Sequence, residues 1–202
     1  MAADVDIVNR ALSKLGETPI TSLGDPVKAA KLAASLYGIV RDDVITSHTW
    51  NFAKTRVMLP AEAKTPDFGW KYQYLLPSDN LRVMEAGPWP QAVMDDYIGG
   101  ERRSFVLEGG LLLTNHGPAL NLIYLRRVTD VGLYPPSFIE ALACKLAVEM
   151  CAALTDSNSK REMAWREYDM AIKQARRNNA IGLPPQPVQD DTWMVAHQWG
   201  VI

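Results

Sequence analysis

Four carboxylates lie close together in the middle of the chain, at Asp95, Asp96, Glu101 and Glu108. Two carboxylates on either side of a glycosidic bond are what glycan hydrolysis requires. Asp95 and Asp96 are neighbours, however, and neighbouring residues of a strand point to opposite faces of a sheet. We therefore interpret the four as solvated turn and edge residues, and a glycan hydrolase that uses them is the alternative.

The histidines and cysteines do not form a metal-binding pattern. His48, His116 and His197 fall in three different segments, and none has a second metal ligand at helical spacing. Cys144 and Cys151 lie in one helical pattern, roughly 10 Å apart along its axis, which is too far for a disulfide. Phosphate-loop, dinucleotide, zinc-protease and nucleophile-elbow motifs are absent from the sequence. We therefore expect two buried thiols, no cofactor, no metal and no catalytic residue.

Composition narrows the class of protein. The 202 residues are 48% hydrophobic and 22% charged, which is typical of a globular protein. The net charge is −2 and the 21 basic residues are scattered, so we expect no sequence-specific binding of DNA. No apolar run approaches the roughly 20 residues that span a bilayer, and acids occupy the N-terminus. These features predict a protein made in the cytoplasm without membrane contact.

Two helices are predicted on each side of the central segment. The first covers residues 4–16, with Asp4 as its cap, and the second runs from Asp25-Pro26 to about Ser47. A third begins at Pro136 and carries apolar residues at i, i+4 spacing. The capping-box pattern Ser159-Lys160-Arg161-Glu162 predicts the start of a fourth.

Six short runs of branched and aromatic residues between these helices predict an antiparallel sheet. Glu108-Gly109-Gly110 and Pro77-Ser78-Asp79-Asn80 favour hairpin turns between them. The runs are 56–59, 70–76, 81–84, 104–107, 111–114 and 120–125.

The order of elements predicts an α+β fold. Residues 1–53 and 128–182 would form a four-helix bundle, residues 54–127 an inserted antiparallel β domain, and residues 183–202 an extended C-terminal arm. Trp50 and Phe52 lie where the helical pattern gives way to the β pattern. Because both can bury large apolar areas, we expect them to form the structural seam between the two parts.

The end of the chain is apolar beyond a stiff spacer. Leu183-Pro184-Pro185-Gln186-Pro187 favours an extended conformation. The residues after it are too apolar for a solvated terminus and must pack against something, either the chain's own helices or a partner. We favour a partner, because the spacer lets the arm reach away. The candidate partner-binding residues are Trp193, Met194, Val195, Trp199, Val201 and Ile202.

Three stretches resemble the phage tail tubular protein A family, the head-to-tail adaptors of short-tailed phages. They are Ile7–Ile20, the Arg41-Asp42-Asp43-Val44 helix that leads into Trp50-Asn51-Phe52-Ala53, and Tyr74-Leu75-Leu76-Pro77-Ser78-Asp79. Weaker similarity from Pro136 onward extends the resemblance over most of the chain. A helical bundle with an inserted β domain is also what this resemblance implies.

The resemblance implies a structural protein of the virion neck and tail. Copies would form a ring, expected to contain twelve, beneath the portal protein, and would offer a platform to the tail nozzle. Genomic DNA would pass through the lumen without sequence-specific binding. The Pro- and Trp-rich arm departs from the better-known members of the family, and our own hypothesis is that it docks on the portal. A DNA-contacting channel protein is a further possibility, and it would require Arg or Lys facing the lumen.

Overall fold

The structure, a computed structural model, describes residues 3–87 and 105–182. Within these ranges the chain is mixed α and β, with four α-helices and two antiparallel three-stranded sheets. The helices are α1 (Asp4–Leu15), α2 (Lys28–Thr46), α3 (Pro136–Thr155) and α4 (Asn158–Ile181). A short 3₁₀ helix, Val131–Leu133, precedes α3.

The four helices share one hydrophobic core, which we call the helical core. Helix α3 packs against the other three, and its buried side chains run from Phe138 to Cys151. Helix α1 contributes Ile7, Val8 and Leu12, all fully buried. Ile172 and Ala175 of α4 close the core from the other side. The apolar faces predicted from i, i+4 spacing are thus the faces that pack together.

Six strands lie between α2 and α3 in the chain. They are β1 (Lys54–Pro60), β2 (Tyr72–Leu75), β3 (Asn80–Gly87), β4 (Phe105–Glu108), β5 (Leu111–Thr114) and β6 (Ala119–Arg126). Each of the six predicted runs therefore overlaps one strand. The prediction of one sheet is wrong, because the order is β1-β6-β3 in one sheet and β2-β5-β4 in the other.

Strand β6 connects the helical core to a second, smaller core. Its side chains alternate between the two faces of the sheet. Leu125 points into the helical core. Leu122 and Tyr124 instead pack with Tyr74 and Leu112 of the other sheet, in a cluster that we call the sheet core.

The two turn predictions have different outcomes. Gly109 and Gly110, with φ of 56° and 83°, connect the paired strands β4 and β5, so the predicted hairpin is confirmed. At the other turn, the amide of Asn80 donates to the carbonyl of Pro77 at 3.0 Å. The strands that this turn joins, β2 and β3, belong to different sheets, so it is a connection between sheets and not a hairpin.

Three helix caps differ from the sequence prediction. Asp4 lies inside α1 and accepts a hydrogen bond from the Tyr37 hydroxyl at 2.7 Å, while Asp6 accepts from the amide of Ala3. Asp25 holds the preceding turn by accepting from the amides of Thr21 and Ser22, and α2 begins only at Lys28. Helix α4 is capped by Ser157, which accepts from the amide of Lys160, and not by Ser159. In α1 and α4 the first-turn amides donate instead to the carbonyls of Ala3 and Ser157, whereas no side chain caps α2.

Candidate assembly surfaces

Trp50 and Phe52 lie in an aromatic cluster where α2 ends and β1 begins. Trp50 is 1% exposed, and its indole nitrogen donates to the carbonyl of Val44 at 2.9 Å. The rings of Trp50 and Phe52 meet the Phe138 ring at centroid distances of 5.1 and 4.7 Å. Edge-to-face contacts of this kind stabilise a cluster beyond its buried area alone. The cluster fixes the start of α3 against the end of α2.

Polar contacts surround the aromatic cluster and join two further elements, β3 and α4, to it. Arg82 of β3 donates to the Thr46 carbonyl at 3.0 Å and to the Thr49 hydroxyl at 2.9 Å. At the end of α4, the side-chain oxygen of Asn179 accepts from the amide of Asn51, and its NH₂ group donates to the Thr49 carbonyl. The ends of α2 and α4 are thereby held beside the start of the first sheet.

His48 belongs to these contacts and not to a chemical site. Its Nε2 lies 3.2 Å from the Nδ2 of Asn179. Burial, followed by the positive charges of Arg176 and Arg82, lowers the pKa of His48. A neutral imidazole stacked edge-on against Trp50, with ring centroids 4.8 Å apart, suits a structural position.

A half-buried ion-pair cluster joins α1, α3 and α4. Glu140 accepts from Arg10 and Lys14, with atom-to-atom distances of 2.5 and 2.8 Å, and Lys14 also reaches Glu167 at 3.2 Å. Burial alone would raise the pKa of Glu140, but the Lys14 hydrogen bond and the two cations hold it below its usual value. Burial raises the pKa of the neighbouring Cys144 thiol to about 11. The cluster thus holds charges that stabilise packing, and the thiol at its edge stays protonated near neutral pH.

The remaining candidates for chemistry are dispersed. Cys144 and Cys151 are buried free thiols, as predicted. Glu108 lies exposed at the end of β4 beside the hairpin turn, and His116 follows β5. Asp95, Asp96, Glu101 and His197 lie outside the described residues, so the proposed carboxylate pair has no observed geometry. Within residues 3–87 and 105–182, no group of three or more His, Cys, Asp or Glu side chains could hold a metal ion.

Some of the most exposed apolar side chains lie on two helix faces and one loop. Met163, Met170 and Ile181 lie on one side of α4 and are 61, 64 and 81% exposed. Ile39 of α2 is 69% exposed, and Phe68, in the loop between β1 and β2, is 89% exposed. These residues could not be identified from the sequence. Apolar spacing indicates which face of a helix is buried, and it does not single out isolated apolar residues on the opposite face. Interspersed exposed apolar and charged residues are typical of surfaces that bind other proteins.

The C-terminal candidates, Trp193, Met194, Val195, Trp199, Val201 and Ile202, lie outside the described residues. The last described residue is Gly182, directly after α4. None of the described helices has an apolar stretch long enough to cross a membrane. No protein-family model matches the chain, and no curated protein matches it.

Proposed function

We propose that the chain is a structural virion protein, a head-to-tail adaptor whose copies form a ring between portal and tail nozzle. The observation that carries the proposal is the set of exposed apolar side chains on α2, α4 and the β1–β2 loop, around a body whose own cores are filled. Apolar groups that a chain leaves in water beside a filled core are available to partners. The resemblance to tail tubular proteins assigns those partners.

We further propose that the four helices act as one bundle into which residues 54–127 are inserted. The helical core supports this, since it draws on helices from both sides of the insertion. In the assembled neck, the bundle forms the wall of a ring, expected to contain twelve copies, and DNA passes through its lumen without sequence-specific contacts. The protein is made in the host cytoplasm and acts in the virion, without contact to a membrane.

Residues 183–202 form the portal-binding arm in this proposal. Arm residues Trp193 and Trp199 would bury apolar area on the portal at roughly 25 cal/mol per Å², which offsets the entropy cost of ordering the arm. The arm continues from Gly182, directly after α4. The nearby Asn179 carbonyl accepts from the Asn51 side chain, and Asn178 lines the same depression as Trp50 and Phe52. The arm thus starts from a fixed point of the body.

Deleting residues 188–202 tests the portal-binding arm. The truncated chain should remain folded, with unchanged helix content, and should lose binding to the portal protein in a pull-down experiment. The matched control is Trp165→Ala on α4, which removes a half-exposed Trp from the body and leaves the arm complete. Unchanged portal binding by the truncated chain would refute the docking role.

The alternative, a tail-associated glycan hydrolase, makes a different prediction for the same assembly. Asp95→Asn, Glu101→Gln and Glu108→Gln should leave an adaptor assembling normally, because none of these changes removes an apolar contact. In a hydrolase they should abolish turnover of a sugar polymer. Turnover by the native chain that the three changes abolish would support the enzyme and count against a purely structural role.

A further inference from the structure

We propose that neighbouring copies in the ring meet through α4 of one copy and α2 of the next. This inference rests on the proposed ring, and it names the two faces that would form the contact. The α4 face is defined by Glu162, Met163, Met170 and Lys173, and the α2 face by Lys31, Ile39 and Asp43. In this proposal, each face binds a second copy of this chain.

The two faces lie on different sides of the subunit. On α4, Trp165 and Arg176 are directed toward the α2 side, since Lys145 lies 4.9 Å from the Trp165 ring and 4.0 Å from Asp43. Met163 and Met170 instead border depressions that Lys14 of α1 also lines. On α2, the residues that face α3 are buried, whereas Ile39 points away from them. A subunit with two different faces can pair head to tail with identical copies.

Charges along the two helices favour a parallel pairing. With Ile39 placed opposite Met170, Lys31 lies eight residues before Ile39, and Glu162 lies eight residues before Met170. Asp43 lies four residues after Ile39, and Lys173 lies three residues after Met170, so these two charges also lie at almost the same level. All four charged side chains are exposed, and two of them also pair within the subunit, Asp43 with Lys145 and Lys173 with Asp169. An antiparallel pairing would bring Lys31 beside Arg177, a like-charge pair, and Asp43 beside Arg166, an opposite-charge pair. The parallel pairing is favoured because both of its charge pairs are of opposite sign.

The course of the helices within one subunit fits that parallel pairing. The Lys28 ammonium, at the start of α2, donates to the carbonyl of Ala153 near the end of α3, so α2 and α3 run in opposite directions. Only Asp156 and Ser157 separate α3 from α4, which turns back along α3. Helices α2 and α4 therefore point the same way. A rotation about an axis along these helices brings α4 of one copy parallel to α2 of the next.

The heights of the contacting residues are also consistent with a closed ring. Within a subunit, Arg176 donates to the carbonyl of Ser47, which marks the level at which the two helices correspond. Ile39 lies eight residues before Ser47, and Met170 lies six residues before Arg176. The proposed pair thus differs in height by two residues, about 3 Å along the axis. A closed ring requires zero net rise, and this offset is smaller than the reach of the extended Arg176 side chain that sets the level. An offset of several turns would instead build an open filament.

Neighbouring side chains of α2 permit a close approach. Ser35, one turn before Ile39, is exposed, and Gly38 beside Ile39 is partly exposed. A Cβ placed on Gly38 would meet no atom of its own subunit within 4 Å. Met170 of the neighbouring copy can therefore reach the α2 backbone beside Ile39.

Disulfide trapping between two full-length variants tests the contact. One variant carries Ile39→Cys and the other Met170→Cys. In the presence of portal protein, oxidation of the equimolar mixture should yield a disulfide-linked species of two chains, doubling the mass, while each variant oxidised alone with portal should remain a single chain. The native cysteines are buried and should not cross-link. Oxidation of the native chain measures any background that they contribute. Met58→Cys mixed with Ile39→Cys is the matched control, because Met58 is similarly exposed but lies on β1.

Charge reversal tests the alignment separately. Lys31→Glu on the Ile39→Cys chain should lower the trapped yield, and Glu162→Lys on the Met170→Cys chain should restore it. Three results would overturn the proposal: no trapping above the Met58→Cys control, trapping of either variant with itself, or no response to charge reversal. Failure of trapping while the native chain still forms rings with portal would reject only these faces. Trapping without any portal-induced ring would reject the adaptor function and keep the contact.

Discussion

The helical part, α1 to α4, and the sheet part, β1 to β6, use apolar residues differently. The helical core is continuous and includes large, fully buried side chains such as Trp50 and Phe138. The sheet core is smaller, and Met58, Leu75 and Leu107 stay exposed on the strands around it. Because stability follows the apolar area removed from water, the helices supply most of it. The sheets are left with apolar groups that a partner can cover.

The two parts meet where β6, β3 and the seam pack against the helical core. Arg82 and Arg127 are the cations of the sheet part that reach α2, Arg127 through Asp42 at 2.7 Å. Partly exposed pairs of this kind contribute little stability, typically under about 1 kcal/mol. We therefore expect the sheet part to open at a lower free energy than the helical part. The following predictions test that difference.

The largest effect is expected at the centre of the aromatic cluster. Phe138→Ala should lower the free energy of unfolding by about 3–5 kcal/mol, because it opens a cavity that Trp50, Phe52 and Tyr134 all line. Urea unfolding followed by circular dichroism measures the change. Phe68→Ala is the control, with an expected change within about 0.5 kcal/mol because its ring is exposed. Equal effects of the two changes would contradict the assignment of the core.

A smaller effect is expected in the sheet core. Leu112→Ala should cost about 2–3 kcal/mol, near the lower end for a buried leucine, because the half-buried Tyr72 and Phe105 can move into the space. Hydrogen exchange should show faster exchange of β5 amides, while α3 amides keep their protection. If α3 amides accelerate equally, the two parts unfold as one unit and the comparison fails.

Two buried tyrosine hydroxyls provide a matched pair, one in each part. The Tyr134 hydroxyl donates to the Val128 carbonyl at 2.6 Å. The Tyr74 hydroxyl meets the carbonyls of Gly117 and, at 3.0 Å, His116. Each change to Phe leaves an acceptor without its donor and should cost about 1–2 kcal/mol. The two changes should differ in what they destabilise. Tyr134→Phe should lower the free energy of global unfolding, and Tyr74→Phe should first accelerate hydrogen exchange of the β5 amides.

Alkaline pH gives the tyrosine comparison a second measurement. Burial raises the pKa of Tyr134 to about 12. The neutral phenol therefore stabilises the fold fully below pH about 10, the unfolded value, and that contribution is lost as pH rises toward 12. The native chain should lose stability over this window, and Tyr134→Phe should lose less. Identical pH profiles would show that the phenol is not held in its buried state.

The smallest effect concerns the ion-pair cluster. Since the pKa of Glu140 is lowered in the folded state, its charge stabilises the fold above the unfolded pKa of about 4.3, and the contribution fades as pH falls. Glu140→Gln should therefore be less stable than the native chain at pH 7, by about 1 kcal/mol for a partly exposed pair. The difference should shrink toward pH 3. A difference that stays constant with pH would mean that the substitution disturbs packing and not charge.

Sequence patterns predicted the elements well because their signals are local. The apolar spacing of Phe138, Leu142 and Leu146 and the glycines at 109 and 110 each depend on a few neighbouring residues. The division into two sheets could not be predicted, since strand pairing depends on contacts between distant segments. The caps failed for a related reason: Asp4 is directed to Tyr37, a partner 33 residues away.

The candidate surfaces were predictable only in part. Trp50 and Phe52 could be singled out because large aromatics at a change of period have few solvated alternatives. Ile39 and Met170 could not, because their exposure depends on how α2 and α4 pack on α3. The parallel course of those two helices, on which the proposed ring contact depends, is likewise a product of tertiary packing.

Mass measurement of the purified chain, alone and after addition of purified portal protein, tests the adaptor function most directly. The account predicts a ring of defined copy number on the portal, expected to contain twelve chains, with no such ring when residues 188–202 are removed. A native chain that stays unchanged in mass with portal present, or that binds without a fixed stoichiometry, would contradict it.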